Sequence, residues 1–143
     1  PWLPYPASYT APDYASAWHA THTGEWHTGL VDGLRALYPG VDIFCNPYGQ
    51  SGPELRLLFD AGNLPGITAV QGPDATSLHT DNLGHAGDIL KDLGELVWLN
   101  RIYDIDLLTY GYSPPWATRL NAVAQAIMHA PNPTHAPHPA HHT

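Results

Sequence analysis

The shortage of β-strands is the feature that most constrains the fold of this chain. Residues 41–46 (VDIFCN) form the one run with a clear strand pattern, apolar and partly β-branched, and it leads into a Pro47-Tyr48-Gly49 turn. A single buried strand cannot satisfy its own backbone N–H and C=O groups. We therefore expect its neighbours to come from a missing N-terminal segment, from another chain, or from a strand with a weak sequence signal. The predicted sheet is incomplete without them.

Helical periodicity dominates the rest of the chain. Apolar and aromatic residues recur every three or four positions over residues 13–38, which predicts a first helix that ends at Pro39-Gly40. Residues 53–61 are predicted to form a second helix with Gly62-Asn63 as its stop, residues 86–103 the most regular helix, and residues 115–128 the last one. Residues 64–78 are predicted to be irregular because Pro65-Gly66 and Gly72-Pro73 punctuate them.

The order of helix, strand, helix, loop and long helix indicates an α/β class. We divide the 143 residues into an extended Pro- and aromatic-rich lead-in (1–12), a helix-rich domain (13–130) and a low-complexity Pro/His-rich tail (131–143). The chain opens without an initiator Met, which suggests a processed product or an incomplete sequence.

Charge and hydropathy exclude several classes of partner. Thirteen acidic residues stand against five scattered basic ones, for a net charge of −8, so we expect no binding to nucleic acid or to anionic lipid. No apolar stretch approaches the length of about 18 residues that a membrane span needs. Charged residues make up only 13% of the chain. A surface so poor in charge and rich in aromatic residues favours partial burial against a partner protein.

Cysteine and histidine give little support to a metal site, and no cofactor is predicted. Cys45 is the only cysteine, which rules out an internal disulfide and a CxxC metal site, and we expect it to be a buried, unreactive thiol. His19 and His22 share a helical face, but His27 falls off it and only Glu25 could complete the set. Four more histidines lie in the low-complexity tail: His135, His138, His141 and His142.

Three tryptophans at helical spacing are predicted to be core or interface anchors rather than a sugar-stacking platform: Trp18, Trp26 and Trp98.

The densest polar cluster, residues 76–85 (TSLHTDNLGH), lies on a loop immediately before the most regular helix. A rigid helix that anchors a loop is a common setting for active-site side chains. Asp81 could hold the imidazole of His85 in the tautomer whose other nitrogen accepts a proton as a general base. The same spacing also fits a structural interpretation, in which Asp81 caps a turn and His85 begins a helix.

The segment "LHTDNLGHAGDILKDLGELVWLNRIYDIDL" resembles the closing segment of SGNH (GDSL-like) hydrolases, and "TGEWHTGLVDGLRALYPGVDIFCNPYGQSGPELRLLFDAGNLPGIT" resembles the helix, strand and helix that precede it in bacterial members. The resemblance covers roughly residues 20–108. It implies a partial three-layer flavodoxin-like (SGNH-type) α/β fold, of which this chain is the C-terminal half. It also implies that Asp81 and His85 are the acid and base of a Ser-His-Asp triad. The usual family spacing is Asp-x-x-His, so Gly84 is an apparent extra residue that glycine is suited to absorb.

The nucleophile serine and the oxyanion-hole residues of the family precede this region, and none can be placed here. Ser8 and Ser16 lack the context of a nucleophile, and Ser51 is interpreted as an N-terminal cap of the second helix. The resemblance therefore predicts an ester hydrolase fragment, inactive alone, that acts on a small ester or acylated carbohydrate once a missing N-terminal half or another chain supplies the nucleophile. It also favours an extracytoplasmic location. A structural or accessory subunit and a His-based metal-binding module are the alternatives.

Overall fold

The structure is a computed structural model that describes residues 9–21 and 29–129. The predicted first helix is helical in two described parts, α1 (Tyr14–Thr21) and α2 (Asp32–Leu37). Residues 22–28 between them lie outside the described residues, as do most of the predicted lead-in and the Pro/His-rich tail.

Three further helices form close to where periodicity predicts them. They are α3 (Ser51–Asp60), which follows a 3-10 turn (Pro47–Gln50), α4 (Asp88–Tyr103) and α5 (Leu120–His129). The predicted stop of α3 is confirmed, because Gly62 takes a φ of +73° and donates its N–H to the Phe59 carbonyl at 2.9 Å. Asn63 donates to the Leu58 carbonyl at 2.8 Å, which completes a Schellman motif. Helix α5 begins five residues later than predicted.

The sheet is small, parallel and formed by residues that the sequence indicated as irregular. Strand β1 (Ala69–Gln71) pairs with β2 (Ser77–His79), with Ala69 opposite Ser77 and Gln71 opposite His79. Each strand has three residues. That is too short for an alternating pattern to show, so the prediction of an irregular segment was wrong for these residues.

The predicted strand at residues 41–46 does not form. The segment is extended near its end but pairs with no strand in the described part of the chain. Its carbonyl groups are bound by arginines instead: Arg35 Nε donates to Ile43 at 2.8 Å and Arg101 Nε donates to Cys45 at 3.1 Å. The Arg101 guanidinium also lies 4.7 Å from the centre of the Phe44 ring. Arginine side chains therefore supply the hydrogen-bond donors that a neighbouring strand would have supplied. Phe44 is 44% exposed.

The described residues thus form a helix-rich α/β fold whose core lies between α4 and its neighbours. Helix α4 contributes the fully buried Ile89, Leu93 and Val97, which belong to one apolar cluster with Leu120 of α5 and Leu107 of the connecting loop. Periodic apolar residues on α4 therefore fix its orientation in the fold. Because β2 and the loop 80–87 lead directly into α4, the core also fixes where the predicted acid–base pair sits.

Within the described residues, no helix qualifies as a membrane span; the longest, α4, has 16 residues and carries charges of both signs.

Candidate functional site

Asp81 and His85 are in contact on the loop between β2 and α4. His85 Nδ1 and Asp81 Oδ2 form a hydrogen bond in which the carboxylate is the acceptor. The other carboxylate oxygen, Oδ1, accepts from the backbone N–H of Leu83 at 2.9 Å and of His85 at 3.2 Å. Asp81 therefore caps the turn and orients the imidazole at the same time, so both interpretations of its spacing describe real contacts. His85 does not begin a helix, since α4 starts at Asp88.

Gly84 is the residue that makes the longer spacing between Asp81 and His85 workable. Its φ of +84° lies in the left-handed region that favours glycine. A Cβ on Gly84 would also overlap the ring of Tyr9, which packs directly over the backbone here. The turn closes through the backbone N–H of Thr80, which donates to the His85 carbonyl at 2.8 Å. The Asp-x-x-x-His spacing, one residue longer than Asp-x-x-His, thus keeps the carboxylate and the imidazole in contact.

The pair is accessible to solvent. The side chain of His85 is 57% exposed and that of Asp81 is 37% exposed. The hydrogen bond from His85 lowers the pKa of the Asp81 carboxyl below its ordinary value, and the backbone N–H groups of His85 and Leu83 act in the same direction. The carboxylate therefore remains ionised at neutral pH and accepts the hydrogen bond from the His85 ring. This is the arrangement that a general base needs when it takes up a proton.

His85 lines a cavity of about 420 Å³. The exposed residues around it form the mouth of the cavity: His85, Leu83, Lys91, Glu95, Trp98 and Tyr48. The buried lining residues are here called its deep end: Tyr14, Trp18, Ser51, Gly52, His79 and Gly94. The two charged side chains, Lys91 and Glu95, are both at the mouth. The lining therefore combines exposed charged side chains with buried aromatic ones.

His79 occupies the deep end and was not singled out from the sequence. It is 1% exposed, with the Tyr9 ring centre 4.9 Å and the Tyr14 ring centre 5.9 Å from its own. Both ring nitrogens are enclosed by the protein, and the Gly84 main chain is close enough to act on the ring. Burial lowers the pKa of His79, and the nearby Gly84 main chain and Asp81 carboxylate act in the opposite direction. Its position in the polar cluster 76–85 was the available signal, but the sequence did not show its burial.

Ser51 also lines the deep end, and its interpretation as a helix cap is wrong. The chain is already helical over Pro47–Gln50, so Gln50 takes the N-cap position of α3 and Ser51 lies inside the first turn. Asn46 caps the combined segment instead, since its side-chain oxygen accepts from Tyr48 N at 3.1 Å. The hydroxyl of Ser51, a residue 2% exposed, has no hydrogen-bond partner among the residues described.

Three tyrosines of the cavity wall each lie against a glycine. Tyr14 meets Gly52 through its hydroxyl, the Tyr9 ring lies over Gly84, and a Cβ on Gly94 would lie 3.1 Å from the ring of Tyr48. These contacts bring tyrosine side chains close to the backbone of α3, the loop and α4. The sequence showed the glycines and the tyrosines, but not which of them meet.

The tryptophans divide between the core and the cavity mouth. Trp18 is buried, and its indole N–H donates to the Gly49 carbonyl at 2.8 Å, so its predicted anchoring role is confirmed. Trp98 is 47% exposed and packs against Tyr48, with ring centres 6.2 Å apart. Trp26 lies outside the described residues.

Metal-binding residues do not converge in the part of the chain that is described. No group of three or more His, Cys, Asp or Glu side chains is placed to hold a metal ion there. Of the helical histidines, His19 approaches Gln50 at 3.4 Å, while His22, His27 and the tail histidines fall outside the described residues. Cys45 is half-buried rather than buried, and burial raises the pKa of its thiol. A protonated thiol is poorly reactive, in line with the predicted role.

No protein family model, curated protein or solved structure gives a significant match to this chain. The resemblance to SGNH hydrolases stays a prediction based on the residues quoted above.

Proposed function

We propose that this chain supplies the acid–base half of an SGNH-type ester hydrolase, as the C-terminal half of a three-layer flavodoxin-like domain. The observation that carries the proposal is the hydrogen bond between Asp81 and His85 at the mouth of an aromatic cavity. An oriented imidazole next to a space of substrate size is the minimum that general-base catalysis requires.

In the proposed reaction, His85 acts through Nε2 while Asp81 holds Nδ1. The imidazole removes the proton of a serine hydroxyl as its oxygen attacks the ester carbonyl, and Asp81 stabilises the resulting imidazolium. The proton then passes to the departing alcohol, which leaves an acyl-enzyme. A water molecule repeats the sequence, releasing the acid and restoring the serine. We assign the serine and the oxyanion-hole donors to a preceding segment or to another chain.

The test is hydrolysis of p-nitrophenyl acetate by the full-length gene product, including any residues that precede Pro1. We expect His85→Ala to lower kcat about 10²–10⁴-fold, as loss of a general base does, and Asp81→Asn to fall in the same range. His19→Ala is the matched control, because it removes a histidine that does not line the cavity and should leave the rate unchanged. Equal rates for His85→Ala and the unaltered protein would refute the assignment.

A second candidate function, a structural or accessory subunit, is favoured by a different observation. Four large apolar side chains of one continuous segment are more than 40% exposed: Leu37, Tyr38, Val41 and Phe44. An exposed apolar stretch of this kind is typical of a protein interface. This candidate predicts that the isolated chain self-associates in light scattering and that Val41→Ser with Phe44→Ser makes it monodisperse. A chain that is monodisperse without these changes contradicts it.

A further inference from the structure

One face of helix α4 carries three exposed side chains that line the mouth of the cavity. Lys91, Glu95 and Trp98 follow one another at spacings of four and three residues, which places them on the same side of the helix. All three line the space that His85 also lines. A ligand that fills the mouth beside the imidazole therefore has a lysine, a carboxylate and an indole as its neighbours.

Two aromatic rings form one wall of the mouth. The Tyr48 ring lies against α4 at Gly94, where an added Cβ would be 3.1 Å from it. The ring centres of Tyr48 and Trp98 are 6.2 Å apart, and their planes are inclined by 44°. Tyr48 nevertheless keeps 45% of its surface exposed and Trp98 keeps 47%. Accessible tryptophan and tyrosine rings attract cations that come within about 6 Å of the ring centre.

The charges at the mouth also favour a cation. Glu95 forms no ion pair and no side-chain hydrogen bond among the described residues, so its carboxylate is available to a ligand. Lys91, the one lysine or arginine in the described lining, is already bound to Asp74 at 3.1 Å and to Asp88 at 3.0 Å. Those two carboxylates outweigh its positive charge. The whole chain carries a net charge of −8, which attracts cations over a longer range.

The chemistry of the mouth distinguishes between kinds of cation. A metal ion needs several ligands, and no group of three or more His, Cys, Asp or Glu side chains is placed for one in the described part of the chain. A primary ammonium is strongly hydrated and has three N–H donors to satisfy. A methylated ammonium spreads its charge over apolar methyl groups, so it lies on aromatic rings without leaving donors unpaired. Two rings beside one carboxylate fit the methylated ammonium best.

We propose that the mouth of the cavity binds a methylated ammonium group on the rings of Tyr48 and Trp98, with Glu95 supplying the opposite charge. The inference deepens the proposed function, on which it rests for the ester that is cleaved beside His85. The substrate class is then an ester whose alcohol carries a quaternary ammonium group. Its acyl–oxygen bond breaks in the reaction described above, and the ammonium alcohol leaves with the proton from the imidazole. Binding of the cation itself requires no hydrolysis.

The experiment is an NMR titration of the full chain, followed at the backbone amide resonances of α4, with three ligands of similar shape. They are choline, its uncharged carbon isostere 3,3-dimethylbutan-1-ol, and ethanolamine, which carries a primary ammonium. We expect saturable choline binding with a Kd on the order of 1–10 mM, as small ligands at an open site show.

The isostere should bind roughly four- to twentyfold more weakly than choline. Its missing charge removes the attraction of the exposed rings and that of the carboxylate, each of which contributes about two- to fivefold. Ethanolamine should also bind more weakly than choline, because its donors stay hydrated. Equal binding of choline and the isostere, or tighter binding of ethanolamine, would overturn the inference.

Variants at exposed positions assign the site. Glu95→Gln and Trp98→Leu should each weaken choline binding roughly two- to fivefold, and Glu95→Gln should leave binding of the isostere unchanged. Asp104→Asn is the matched control: it removes the same charge at an exposed residue outside the cavity, where a φ of +53° suits asparagine. It should bind choline as the unaltered protein does. Choline binding that is insensitive to both Glu95→Gln and Trp98→Leu would place the cation elsewhere and contradict the proposal.

The two proposals fail in different ways. Saturable choline binding without any p-nitrophenyl acetate hydrolysis by the full-length gene product contradicts the hydrolase and leaves the cation site standing. Hydrolysis that depends on His85, without saturable choline binding, overturns the cation site and leaves the hydrolase. Where both are found, kcat/KM for acetylcholine should exceed that for 3,3-dimethylbutyl acetate roughly four- to twentyfold, and Glu95→Gln should narrow the difference. Equal values for the two esters would overturn the substrate class.

Discussion

Substitution of Gly84 by alanine should test the loop that holds the acid–base pair. Gly84 has a φ of +84°, and a Cβ there would overlap the Tyr9 ring. An alanine in the left-handed region costs about 1–2 kcal/mol of stability. Tyr9 would also have to leave its positions 5.4 Å from the ring centre of Tyr14 and 4.9 Å from that of His79. Each such ring pair contributes about 0.5–1.5 kcal/mol.

Gly62→Ala is the matched control for this change. Gly62 has a similar φ, +73°, but nothing lies within 4 Å of a Cβ added there. It therefore carries the backbone cost of about 1–2 kcal/mol alone, whereas Gly84→Ala carries the sum, about 2–5 kcal/mol. The difference between the two variants measures the packing of Tyr9.

Urea unfolding followed by tryptophan fluorescence measures both free energies of unfolding. The two variants should share one m-value, so that the shift in midpoint reports stability. Equal losses for Gly62→Ala and Gly84→Ala would show that Tyr9 does not pack on the loop. A Gly84→Ala variant as stable as the unaltered protein would refute the loop conformation itself. Because Gly84 lies between Asp81 and His85, we also expect this variant to weaken their hydrogen bond, visible as a shift of the His85 Nδ1 proton resonance.

Three further predictions concern stability. Stability should fall as the pH drops below about 6.5, because the folded state holds the pKa of His79 below that ordinary value and the unfolded chain binds the proton first. Acid titration followed by circular dichroism should show that the stability of His79→Phe depends less on pH. The same pH dependence in both proteins would contradict this. Gln125→Leu should lower the free energy of unfolding in urea by about 1–3 kcal/mol, because it leaves the buried Leu107 N–H without its acceptor at 2.8 Å. An unchanged free energy would mean that this N–H finds another partner. Leu93→Ala should cost about 3–5 kcal/mol, as a cavity at a fully buried site of α4 does, while Leu57→Ala, at a side chain 51% exposed, should stay within about 0.5 kcal/mol. Similar losses for the two leucines would argue against the core described here.

Local patterns were sufficient to predict most of the helical segments and to place Asp81 and His85 on one short loop. A helix forms from hydrogen bonds between residues four apart, and its stop depends on one glycine, as at Gly62. Asp81 and His85 are four residues apart on one short loop, so the chain has little freedom to separate them. The extra Gly84 could be recognised as tolerable for the same local reason.

The strands could not be predicted in the same way. Residues 41–46 have strand composition, yet Arg35 and Arg101 bind the carbonyl groups there and no sheet forms. Strands β1 and β2 have three residues each and are defined by pairing with one another, not by composition. Pairing in a sheet is a property of two segments, whereas a sequence window describes one.

The sequence by itself determined roughly where the helices lie and that Asp81 and His85 share one short loop, because each depends on residues close together in the chain. Only the tertiary structure decided that Ser51 is inside a helix and that His79 is buried. Tertiary structure also brought these two residues into one cavity with Tyr14 and His85. Burial depends on which distant segments pack together, and here Tyr9 and Tyr14 pack against His79.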